Sequence, residues 1–126
     1  MYEEALAVYI RRGGFSIKKT VIRRGGREVG EYIYVKHGLF ELEAEYDLEE
    51  GNLYFLELCW ADRCSLWHEG EPDREPTPLV VKKSFQILRE VAQFSYAASA
   101  AYRLIASYLS RSSAVSTSDL THRQYH

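Results

Sequence analysis

The chain has 126 residues, of which 46% are hydrophobic and 27% charged, and a net charge of −2. That is one domain's length, long enough to bury a core, with the composition of a soluble globular protein. No apolar run reaches the roughly 18 residues of a membrane span; the longest candidate, Phe94 to Leu109, is interrupted by Arg103 and three serines.

No basic n-region leads into an apolar h-region, so no signal peptide is expected, and the expected setting is the cell interior or a virion. The charges are segregated. From Ala5 to Gly30 seven basic residues stand against Glu28 alone, and from Glu31 to Glu75 thirteen acids stand against Lys36, Arg63 and Arg74. Such a layout favours steering, self-association or an anionic partner and does not decide a fold.

The chain divides, as a single domain over residues 1–126, into five stretches. Residues 1–13 read most simply as a short helix, with Glu3 and Glu4 in its first turn, Arg11 and Arg12 in its last, and Gly13 as its stop. A strand from Ala5 to Arg12 is the rival. The motif IRRGG, at Ile10–Gly14 and again at Ile22–Gly26, would then close two successive hairpins.

Residues 15–69 read as an antiparallel meander of about five strands. Phe40 to Glu49 alternate apolar and acidic, the period of a strand with one dry and one wet face. A three-residue turn at Glu49–Gly51 pairs Phe40 with Trp60, Leu42 with Leu58, Ala44 with Leu56 and Tyr46 with Tyr54. A His37-Gly38 turn pairs Val35 with Phe40 and Ile33 with Leu42, and a Gly25-Gly26 turn pairs Ile22 with Val29. All three registers put the apolar residues on one face, which Trp67 of a fifth strand joins.

Residues 70–77 form a proline-rich linker. Thr77 suits an N-cap and Pro78 a first helical residue, and from there to Arg111 no Gly or Pro intervenes. A helix over 78–111 would be about 50 Å long at about 1.5 Å per residue, longer than its sheet. Its second half is apolar on every side, so it must be buried on every side. The expectation is a homodimer or higher homo-oligomer built on Phe94, Ala98, Ala101, Tyr102, Ile105 and Leu109; a kink near Ser95–Ser99, burying both halves in one chain, is the alternative. Residues 112–126, rich in serine and threonine, read as a flexible tail. The fold class is therefore α+β, a meander packed on a long C-terminal helix.

Cys59 and Cys64 flank a turn and face each other in this register. A cross-strand disulfide, a zinc site with His68 and a pair of free thiols all remain open, although C-x4-C-x3-H lacks a fourth ligand. No nucleophile elbow, phosphate loop, zinc-protease helix or dinucleotide fingerprint occurs. No catalytic residue, metal, cofactor, small-molecule substrate or membrane partner is therefore expected. Glu41, Glu43 and Glu45 look like any solvated strand face.

The alternative function is nucleic-acid binding. Arg11, Arg12, Lys18, Lys19, Arg23, Arg24 and Arg27 would grip phosphates, and Tyr32 and Tyr34 would stack on bases. The acidic strand next to them opposes it.

Asparagine occurs once, at Asn52, and glutamine three times, at Gln86, Gln93 and Gln124, a scarcity of thermolabile amides seen in thermophiles. With a short meander, an alanine-rich helix and no catalytic motif, the chain resembles the small orphan proteins of viruses that infect hyperthermophilic archaea, the spherical Pyrobaculum viruses in particular. The resemblance implies a viral setting and homo-oligomers; it assigns no site residue. The leading expectation is a non-enzymatic oligomeric protein with a structural or protein-interaction role.

Overall fold

The computed structural model describes the backbone of residues 3–12 and 14–124 and the side chains of residues 5–11 and 14–112. Among these, seven antiparallel strands form one sheet in sequence order. They are β1 (Glu3–Arg12), β2 (Phe15–Arg24), β3 (Arg27–His37), β4 (Phe40–Asp47), β5 (Asn52–Trp60), β6 (Arg63–His68) and β7 (Glu71–Pro72). Two helices follow, α1 (Pro78–Val91) and α2 (Tyr96–Gln124), joined by a single 3-10 turn at Ala92–Phe94. The α+β class stands, with seven strands where five were expected.

The first extra strand is β1. Its capping pattern suits a helix, but β2 offers it a ten-residue ladder from Glu3↔Arg24 to Arg12↔Phe15. Tertiary pairing overrides local propensity here. Both IRRGG copies thus end strands at glycine turns, with Gly14, Gly25 and Gly26 at positive φ. The second extra strand, β7, is two residues of the proline-rich linker.

The registers keep most of the expected face and move along it, but Ile22 lies on the outer face and Tyr54 in solvent. The third turn is Gly38-Leu39, with glycine at its positive-φ first position, so His37 meets Phe40 and Val35 meets Leu42. That shift of two residues preserves the alternation. Ile22 pairs with Gly30, because a bulge between Ile22 and Arg23 sets Val29 aside. Phe40, Leu42 and Ala44 pair with Trp60, Leu58 and Leu56 as read, but Tyr46 pairs with Leu53 across a bulge. The Asp47 carboxylate accepts the N–H groups of Glu49 and Glu50 at 2.9 and 3.1 Å, closing a longer turn. Tyr54 is thereby turned outward and is exposed.

The core lies between this face and the two helices. Ile33, Val35, Phe40, Leu42, Ala44, Leu56 and Leu58 pack against Val80, Ile87, Leu88, Val91, Ala98, Ala101 and Ile105. Thr77 caps α1 by accepting the N–H of Val80 at 3.3 Å. The helix expected over 78–111 is broken at Ala92–Ser95, and Phe85 of α1 stacks on Tyr102 of α2 with ring centroids 5.0 Å apart. The break turns α2 back against α1, so that apolar residues of both helices pack on the sheet and on each other. The backbone of α2 continues to Gln124, so the segment expected as a tail is helical that far; side chains beyond residue 112, His122 and His126 included, lie outside the described residues.

Candidate functional site

The helix-covered face can be followed in rows across the sheet. One row runs Val8, Lys19, Ile33, Ala44, Leu56, Trp67, and the next Ile10, Ile17, Val35, Leu42, Leu58, Ser65. From β3 onward these positions are dry, because α1 and α2 lie over β3, β4 and β5. At β1 the same face emerges into solvent: Leu6 is 50% and Val8 51% exposed. An apolar row carried to an open edge is an unusual exposure, since scattered single apolar residues are ordinary but a contiguous set marks contact surface.

The two edges of the sheet differ. Edge β7 is two residues long and includes Pro72, which has no N–H to offer another strand. Edge β1 is ten residues long, without proline or glycine, and among the described residues it pairs on one side only.

The basic residues expected to hold phosphates are distributed among other tasks. Lys19 points to the helix side, where its Nζ donates to the Phe94 carbonyl at 2.7 Å. Arg23 lies 3.5 Å from Glu28, and Arg24 and Arg27 lie 3.7 and 3.5 Å from Glu49. Such exposed pairs add little stability, but they reduce the positive field at the hairpin tip. Lys18 sits 5.9 Å over the Tyr9 ring, and Arg11 is exposed; the side chain of Arg12 is outside the described residues.

Tyr32 and Tyr34 are on the outer face as expected, but in acidic company. The Tyr32 hydroxyl donates to Glu43 at 2.9 Å. Burial, and then that carboxylate, raise the Tyr32 phenol pKa; burial, and then Glu41, raise that of Tyr34. The pair is interleaved with carboxylates, an arrangement that opposes a polyanion.

The six helical residues expected between copies are occupied within the chain. Ala98, Ala101 and Ile105 are wholly buried against the sheet, and Phe94, Tyr102 and Leu109 pack partly buried around them. The kink lets the sheet and α1 cover the Ala98, Ala101 and Ile105 side of this helix half within the chain.

What sequence reasoning missed is the device that breaks the helix. Glu31 stands on the core face between Val29 and Ile33 and is buried. Its Oε1 accepts the Ser95 hydroxyl at 2.5 Å and the Ala97 N–H at 3.1 Å, while Oε2 lies 3.9 Å from Lys19 Nζ. Ser95 in turn accepts the Ala98 N–H at 3.0 Å as the cap of α2. The signal was present as an acid at an otherwise apolar position of the alternation.

Cys59 and Cys64 face each other across β5 and β6, with Cα atoms 4.1 Å apart and a disulfide between them. Ligand atoms of Glu57, Cys59 and Cys64 lie within 4.8 Å of one another. Sulfurs joined to each other have no thiolate to give a metal, so this trio does not form a zinc site while bridged; His68 is not among it. A cleft of about 520 Å³ between the β5–β6 turn and the start of α1 is lined by Trp60, Asp62, Arg63, Arg74 and Glu75 among others.

No family model, curated protein or solved structure matches the chain. No helix among the described residues is long and apolar enough to cross a membrane. The built features are thus the open β1 edge, the Glu31 cluster and the disulfide. Among the described residues, the β1 edge joins exposed apolar side chains to a strand paired on one side.

Proposed function

We propose that the protein is a non-enzymatic, self-associating protein with a structural or protein-interaction role, and that its contact surface is the β1 edge. The observation that carries this reading is the half exposure of Leu6 and Val8 on the face whose central rows are dry from β3 onward. Covering that row would remove apolar surface from water at about 25 cal/mol per Å². An unblunted edge strand supplies unpaired backbone donors and acceptors besides.

The site moves from the second helix, where the sequence pointed, to the first strand. Nucleic-acid binding is the weaker reading because Lys19 is turned inward and the tip arginines lie beside carboxylates. The viral setting drawn from the resemblance adds nothing to either.

Sedimentation velocity over a concentration series tests the proposal. A mass that rises from monomer to a defined oligomer is expected. A monomeric mass at every concentration overturns it, and salt-sensitive binding to nucleic acid by that monomer would restore the basic hairpins as the site.

A further inference from the structure

Resting on that reading of self-association, the strand itself specifies how two copies meet. We infer that they join their β1 edges antiparallel about a two-fold axis through Val8, forming one continuous sheet with the helices of both copies on the same side. The two-fold partner is a second copy of this chain, and the argument is register and charge.

A two-fold axis perpendicular to a sheet pairs each residue with one of the same face. A slip by a single residue would set the apolar row of one copy against the outer row of the other. Only registers centred on one residue of β1 are therefore allowed.

Centred on Val8, the row Glu4, Leu6, Val8, Ile10, Arg12 reads against its own reverse. Glu4 stands opposite Arg12, Leu6 opposite Ile10, and Val8 opposite Val8. By position in the strand, residues of opposite charge are paired at both ends of the row and apolar residues between them. Centred on Ala7 instead, Glu4 would face Ile10. Centred on Tyr9, Arg12 would face Leu6. The Val8 register alone matches every member of the row, and cross-strand pairs of this kind are what stabilise neighbouring strands.

The structure supports the same choice from the other side. Leu6 and Val8 are half exposed and Ile10 partly so, which leaves surface for a second strand to cover. Tyr9, 74% exposed on the outer face, would lie opposite Ala7, a small residue that leaves room for the ring.

Val8→Cys and paired charge variants test the arrangement in the full-length, non-reduced chain. With Cys59 and Cys64 bridged, Val8→Cys carries one free thiol, as does the control Tyr54→Cys at an exposed position on β5. A short bismaleimide is expected to link Val8→Cys into a covalent dimer and to leave Tyr54→Cys monomeric. Val8→Lys and Val8→Glu should each weaken the dimer roughly 100-fold, since like charges meet at the axis, and an equimolar mixture should restore it. Unchanged circular dichroism of each variant shows that the fold is kept.

If the wild type associates but Val8→Lys does so equally well, or both thiol variants cross-link alike, the β1 pairing is overturned while self-association stands. If the wild type is monomeric throughout, both fall.

Discussion

Glu31 on the third strand holds Ser95 at the start of the second helix, 64 residues further along the chain, by a buried hydrogen bond of 2.5 Å. The same carboxylate receives the Ala97 N–H, so an acid from the sheet acts as a second cap for α2. The helix break, and with it the folding of α2 back over α1, is fastened to the sheet at this point. Glu31→Ala leaves the Ala97 N–H and the Ser95 hydroxyl without their acceptor and removes the counter-charge of Lys19. We expect a loss of about 3 kcal/mol in urea denaturation, and of about 1 kcal/mol for Ser95→Ala. Equal, negligible losses would show the junction to be held by apolar packing alone.

Ile105 is wholly buried against the sheet. Ile105→Ala should therefore cost about 2–5 kcal/mol of stability, through lost transfer energy and the cavity left behind. Were α2 an interface and not a core element, the same change would lower the oligomer mass with little effect on the unfolding of the monomer. Denaturation of a dilute sample and sedimentation of a concentrated one separate the two.

Ala61 holds a positive φ of 56° in the β5–β6 turn, a conformation that disfavours a Cβ. Its N–H donates to the Leu39 carbonyl at 2.9 Å, which keeps the two neighbouring turns together. Ala61→Gly should raise stability by about 1 kcal/mol, less the extra entropy of glycine in the unfolded chain. A fall in the denaturation midpoint would show that the turn is not strained.

The raised pKa values of Tyr32 and Tyr34 imply an alkaline dependence. In the unfolded chain the phenols lose their protons near pH 10, while in the fold they still hold them. Above that pH the folded state binds more protons than the unfolded one, so the stability these groups contribute is complete below about pH 10 and is lost as pH rises toward their folded values. Tyr32→Phe should lose about 1 kcal/mol near neutrality with the bond to Glu43 and flatten the fall in melting temperature on the alkaline side. An equally steep fall in the variant would assign the alkaline loss to other groups.

The Cys59–Cys64 disulfide closes a short loop, since the residues are five apart in sequence. Constraining so small a loop in the unfolded chain is worth about 2 kcal/mol. Reduction should lower the melting temperature accordingly without changing the oligomer mass, because the bridge lies on β5 and β6, far in strand order from the β1 edge. A reduced protein that bound zinc with a stoichiometry of one would revive Glu57, Cys59 and Cys64 as ligands.

Much of the architecture was legible in the residues themselves. Alternation from Phe40 to Glu49 defined a strand and its dry face, and paired glycines placed the Gly25-Gly26 turn. Thr77 and Pro78 marked the start of α1. These are local effects, set by the pleat, by glycine's freedom at positive φ and by a cap three residues from its N–H. Parity held where the register moved by two, as at Val35 and Leu42, but failed at the two bulges, which leave Ile22 on the outer face and turn Tyr54 into solvent.

Other features depended on partners distant in sequence. Residues Glu3–Arg12 satisfy the local rules of a short helix, and only the ladder offered by β2 makes them a strand. Ser95 is an ordinary serine until Glu31 meets it across the sheet, so no periodicity in the helix could say where it ends. The alanine row of α2 reads equally well as an interface or as core; the sheet's own exposed apolar face, completed by tertiary packing, decides for core. The same packing stops short of β1 and so leaves Leu6 and Val8 in water. Local sequence determines which face of an element is apolar, but what covers that face is a matter of area and reach, and those are properties of the whole fold.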